Sequence, residues 1–210
     1  MARKGVHALS LHYAAIVPAV TEVEGEIKEE ELDPEREAER EARRQLALAQ
    51  IRQYPDSVLR MKAPPVETFD DDLKRLVTRL GVLMKDANGV GLAATQVGVL
   101  RRVFVFARDE DEVAVLVNPE IVRRGDEADV DEEGCLSIQG VTMPVERATS
   151  VRIEGRDASG EEVAYDLEGT PARIVQHELD HLDGTMILDR TTPEARREAL
   201  AALRPRLVIR

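Results

Sequence analysis

Gln176-His177-Glu178-Leu179-Asp180-His181 sets two histidines four residues apart, with a carboxylate directly after the first. On an α-helix, residues four apart lie on one face, so both imidazoles can reach a single metal ion, and Glu178 sits beside it as a base for a bound water. A helix is the expected setting, because Thr170 and Pro171 supply an N-cap and a first helical position, and it should run from Pro171 to Leu182. The chain carries only four histidines in 210 residues, so their pairing at this spacing is a specific signal. Two imidazoles alone do not hold a catalytic ion well, since such sites usually combine three protein ligands with one open position.

The third ligand decides which chemistry the stretch serves. An extended protease pattern continues through a glycine to a third histidine; Gly184 fits it, but Ile187 stands where that histidine should be, which excludes the class. Further downstream, Glu198 is the one carboxylate that a zinc endopeptidase could use, on a polar, arginine-rich stretch. Upstream, Glu133-Gly134-Cys135-Leu136-Ser137 carries the only cysteine of the chain. A thiolate suits Zn²⁺ or Fe²⁺, and binding keeps it deprotonated, so beside two unpartnered histidines Cys135 is favoured over Glu198. A third segment, Gly89-Val90-Gly91-Leu92-Ala93-Ala94-Thr95-Gln96, has two glycines that allow close backbone approach, and Gln96 adds a neutral donor and acceptor.

In this order and spacing the three segments resemble the peptide deformylases, metallohydrolases that remove the formyl group from the N-terminal formylmethionine of new polypeptides. The resemblance runs from about Tyr54 to Arg190 and includes Tyr54-Pro55-Asp56 and Val58-Leu59-Arg60. It implies an α+β fold, with antiparallel strands packed around the metal-binding helix. It implies one divalent ion per chain on Cys135, His177 and His181, Fe²⁺ by expectation and Zn²⁺ as the alternative, with Glu178 as general acid and base. It further implies oxyanion contacts from the Gln96 side chain and the Leu136 backbone N–H, and a substrate cleft lined by backbone at Val90 and Gly91. Formylated nascent N-termini would be the partner. Two positions depart from the family pattern: Gln139 stands where Pro is frequent, and Thr142 where a bulky or basic residue commonly borders the substrate side-chain pocket. Arg147 matches a family arginine, and an intact Glu178 speaks against a catalytically silent metal-binding module.

Outward from these motifs, the chain divides at about residue 50 into a charged N-terminal extension, helical or disordered, and a metallohydrolase domain over 51–210. Asp33 and Pro34 open a polar helix in the extension, and Arg3 and Lys4 precede a broken apolar stretch, Ala8 to Val20, read as a cytoplasmic start rather than a signal peptide. Phe69, Leu73, Leu76, Val77, Leu80 and Met84 mark an amphipathic helix stopped by Asn88 and Gly89. Arg101–Ala107 and Val113–Asn118 read as a hairpin closed by Pro119, Asp109–Glu133 as a solvated acidic loop, and Val151–Gly155 with Glu162–Leu167 as a second strand pair. Thr192 and Pro193 open a last helix before Pro205.

Acidic residues number 41 against 29 basic, a net charge of −12, so non-specific DNA binding and anionic membrane surfaces are excluded as partners. Three Phe, three Tyr and no Trp leave no platform for stacked bases. A single cysteine makes no internal disulfide and points to a reducing compartment, the cytoplasm. From Arg190 onward six arginines outnumber two glutamates, a solvated face that could also make transient contact with ribosomal RNA.

Overall fold

A computed structural model describes residues 33–109 and 112–203. The apolar stretch Ala8 to Val20 and the arginines beyond Leu203 lie outside them. The helices are α1 (Pro34–Leu48), α2 (Asp71–Asp86), α3 (Gly169–Leu182), the single turn α4 (Ile187–Arg190) and α5 (Pro193–Ala202). The strands are β1 (Gly91–Ala93), β2 (Val103–Ala107), β3 (Val113–Arg124), β4 (Ala128–Cys135), β5 (Ile138–Ala148), β6 (Ser150–Arg156) and β7 (Glu162–Glu168). Every pairing is antiparallel. One sheet runs in the order β1-β2-β3-β6-β7, and β4 pairs with β5 as a separate ribbon. No helix among the described residues is long and apolar enough to cross a membrane.

The Val-Phe-Val-Phe run of β2 explains the layering. Alternate side chains of a strand point to opposite faces, and here both faces are apolar, so both must be covered. Val103 and Val105 pack with Leu73, Leu80 and Met84 of α2, while Phe104 and Phe106 pack with Ala172, Val175 and Leu182 of α3. Helix α3 touches β1, β2, β6 and β7 of the large sheet and β5 of the ribbon. It therefore lies between the two sheets, which is why polar residues along it are buried as well as apolar ones. A third cluster closes the far side, where Ile138, Met143 and Val145 of β5 meet Ile187, Leu188 and Ala199.

Asp33 and Thr192 accept backbone N–H bonds at the starts of α1 and α5, as their sequence positions suggest, and Asp70 does the same for α2. Four expectations need correction. Helix α3 begins at Gly169 with Glu168 in the cap position and no side-chain cap, so Thr170 is already inside the first turn. Pro119 does not close β3; the strand passes through it at a bulge, where Asn118 takes a left-handed φ of 53° and its side chain bonds both backbone groups of Val66. The acidic stretch is mostly strand rather than loop, because β3 continues to Arg124 and β4 keeps Asp129 and Glu132 exposed on a two-stranded ribbon while burying Glu133. One face of the last turn of α1 is also not solvated: Ala47, Leu48 and then Ile51 join the α2 core, while Leu46 stays exposed. Leu46, Ala47 and Leu48 are too short an apolar run to stand out against the charge preceding them.

Candidate metal centre

Side chains in the motifs, and Gln53 just before the first of them, pin the elements that meet at the site. Gln176 ties α3 to β5, its Nε2 donating to the Ala148 carbonyl at 2.9 Å and its Oε1 accepting the Ala148 N–H at 3.2 Å. Gln96, in the 3-10 turn that follows β1, accepts the Ala93 N–H at 2.8 Å and donates to Ser137 Oγ at 3.2 Å. Its Nε2 lies 3.8 Å from Cys135 Sγ. Gln53 donates to the Leu136 carbonyl at 2.9 Å, fixing the backbone just after the cysteine. The turn after Cys135 folds back so that the Ser137 N–H points at Sγ, 3.4 Å away.

Cys135, His177 and His181 come together as one cluster, with one potential ligand atom from each residue all within 4.8 Å of one another. Cys135 Sγ is 3.3 Å from His181 Nε2, and the two imidazoles meet edge to face at a centroid distance of 4.9 Å. Glu198 is exposed on α5 and takes no part in the cluster. That removes the third ligand an endopeptidase would have needed.

The histidines are held from behind by a buried ionic chain. His177 Nδ1 lies 3.0 Å from Glu133 Oε2. Glu133 in turn receives a two-pronged bond from Arg147 at 2.9 and 3.0 Å and one from Arg173 at 2.9 Å. Arg147 continues to Asp180 at 2.6 Å, and Arg190 closes on the same carboxylate at 3.0 Å. With Nδ1 committed to a carboxylate, the free lone pair of a neutral His177 sits on Nε2 and faces the cluster. Thr95 Oγ1 donates to the His181 carbonyl at 3.2 Å, so that turn of α3 is held as well.

The electrostatics follow from this packing. Burial alone would raise the Glu133 carboxyl, but hydrogen bonds from His177 and Arg147 outweigh it and hold the group well below the usual carboxylate range. Burial disfavours a charged His177, yet Cys135 and Glu133 beside it push its pKa well up, while burial and then the nearby His177 push His181 well down. Glu178 is driven up to about 7, first by burial and then by the charge of Glu133, against the pull of His177. It is 3% exposed. Among the described residues, Glu178 Oε2 and His181 Nδ1 are buried without a hydrogen-bond partner. One cysteine sulfur and two imidazoles are a donor set that fits a divalent ion of borderline softness, and the unpartnered Oε2 of Glu178 is left over for another role.

Sequence reasoning gave the three clustered residues, Glu178 and Gln96, and placed Leu136 beside them. Val90 is 44% exposed and Gly91 is buried at the start of β1. What it missed is the support: Glu133 as the orienting acid of His177, and Asp180 as the far anchor of Arg147. Glu133 stands two residues before Cys135, but the register shifts between them, so strand alternation alone could not mark it. Glu133→Gln is expected to weaken metal affinity about 10- to 100-fold while keeping the side chain's volume. Competition against a coloured chelator measures this, and unchanged affinity would show that His177 does not depend on the acid behind it.

A family model described as polypeptide deformylase matches residues 48–197. The peptide deformylase of Desulforudis audaxviator is 47% identical over 147 residues, covering 70% of this chain and 96% of that protein. That of a Parafrankia species is 43% identical over 159 residues, covering 76% and 87%. Among solved structures, a peptide deformylase from Legionella pneumophila superposes with a TM-score of 0.68 at 40% identity, over 74% of this chain and 98% of that one. The enzyme from Thermotoga maritima gives 0.66 at 42% identity, over 68% and 97%.

Proposed function

The chain belongs to the polypeptide deformylase family, which removes the N-terminal formyl group from nascent polypeptides, and from that premise we propose how its own residues do so. A divalent ion on Cys135, His177 and His181 would supply a Lewis acid and a water whose pKa falls from 15.7 towards about 7. Sulfur and nitrogen donors suit Fe²⁺ and Zn²⁺ alike; we assign Fe²⁺, with Zn²⁺ as the alternative.

Glu178 is the general base and then the general acid. Burial tunes its carboxyl close to neutrality, where a group can both accept a proton and give it up, and a cation beside it draws it somewhat lower. Oε2, buried and uncommitted, takes the proton of the attacking water and returns it to the departing amine nitrogen. The Gln96 amide is fixed through Ala93 and Ser137, so its N–H needs no reorganisation to meet the developing oxyanion. The Leu136 N–H is the second donor, and losing one such donor typically costs about 10²- to 10³-fold in rate. Strand β1 is an edge of the large sheet, so its outer side at Gly91 can take an extended peptide by strand addition, with the exposed Val90 just before it.

Substrate side-chain preference falls to Gln139 and Thr142, both exposed on β5. Residues 1–50 act as an appendage, with the last turn of α1 anchored in the core. The basic stretch from Arg190, which includes Arg196 and Arg197 on α5, is the candidate for transient ribosome contact, and the cytoplasm is the compartment in which a lone thiol stays reduced.

The observation that carries this reading is the meeting of Cys135 with the two helical histidines while Oε2 of Glu178 is left without a hydrogen-bond partner. Formyl-Met-Ala-Ser should release formate and a free amine readily, its N-acetyl counterpart far more slowly, and internal bonds of an unfolded protein should not be cut. Endoproteolysis without formate, or no turnover at full metal occupancy, would overturn it.

A further inference from the structure

We propose that Gly91 is a positioning residue for the Glu178 carboxylate: the side chain missing at position 91 is the slot in which that carboxylate sits. The three atoms nearest to where a Cβ on Gly91 would stand all belong to Glu178, namely Oε1, Cδ at 2.8 Å and Cγ at 2.9 Å. Contacts that short are not tolerated by real side chains, so Glu178 and a Cβ at 91 exclude each other. Glu178 cannot avoid the clash by swinging into solvent, because it is 3% exposed on a helix packed between two sheets.

Backbone conformation does not demand a glycine here. Gly91 lies in β1 opposite Phe106 of β2, and its φ is not among the positive ones. An alanine in such a strand should ordinarily stabilise, since it narrows the unfolded ensemble more than glycine does. Gly91 therefore holds its place for space, and that space is taken by the base. Strand β1 thus does two things at one residue: its backbone borders the substrate cleft, and its bare α-carbon sets how far Glu178 stands from it.

The proposal rests on Glu178 being the base, and the test separates the two. Chemical unfolding of the metal-free protein is measured for Gly91→Ala with and without Glu178→Ala. Gly91→Ala should lower the unfolding midpoint when Glu178 is present and leave it equal or higher when Glu178 is alanine. Equal effects in both backgrounds would overturn the proposal, whatever the role of Glu178 in turnover. In the metal-loaded enzyme Gly91→Ala should lower kcat about 100-fold, the scale of a misplacement near 1 Å, with KM changed far less and metal content retained. Glu178→Asp, one methylene shorter, should recover part of that loss when combined with Gly91→Ala. A rise in KM at constant kcat, with no recovery, would assign the glycine to peptide approach instead and also overturn the proposal.

Discussion

Cys135→Ala is expected to leave the protein folded and strip it of its ion. The site has three protein donors within 4.8 Å of one another, and removing one leaves two imidazoles on the same helix face, a pair that holds a divalent ion poorly. The loss should exceed the 10- to 100-fold expected from the supporting acid Glu133, because a donor goes rather than its orientation. Folding should survive, since Cys135 ends β4, is only partly buried, and its sulfur is only a weak acceptor for the Ser137 N–H and the Gln96 amide. Dialysis against a chelator followed by elemental analysis, with circular dichroism on the same sample, tests both halves. One tightly held ion per chain in the variant would remove Cys135 from the ligand set.

The two halves of this site were legible in the sequence to different degrees. His177, Glu178 and His181 could be read because helical periodicity is local and four residues return to the same face. Cys135 was reached by need, as the third donor to two histidines, and Gln96, Leu136, Val90 and Gly91 came from likeness to a family. The ionic chain behind His177 was out of reach, since Glu133 on β4, Arg147 on β5 and Asp180 on α3 meet only when the ribbon folds over the helix. Charge patterning reads such residues as solvated, and for Asp129 or Glu132, exposed on β4, that reading holds. Glu133 differs by a hydrogen-bond set that no count of acids can reveal. The fold shows the same division. The α2 stripe and the β6–β7 pair followed from period and turn residues, whereas the passage of β3 through Pro119 depends on Asn118 reaching Val66, 52 residues away in sequence.

Glu178→Ala should keep the ion and lose about 10²- to 10⁴-fold in turnover, the range a positioned general acid and base supplies. Its carboxylate is not among the clustered donors, so metal content should match that of the unsubstituted protein. His177→Ala and His181→Ala should instead lose both metal and activity, and the contrast assigns roles that a simple loss of activity would not. Glu178→Gln is the sharper variant, because it fills the same buried space against Gly91 and can still form hydrogen bonds, but it cannot take up a proton at Oε2. If space alone mattered, the glutamine would restore turnover. If proton transfer matters, alanine and glutamine fall together, and aspartate retains a fraction set by how far its shorter arm reaches. Steady-state formate release, corrected for measured metal occupancy, decides between them. Near-normal kcat in the glutamine variant at full occupancy would mean that another group carries the proton, and none of the other acids near the site is both buried and free of partners: Glu133 is bound by His177, Arg147 and Arg173, and Asp180 by Arg147 and Arg190.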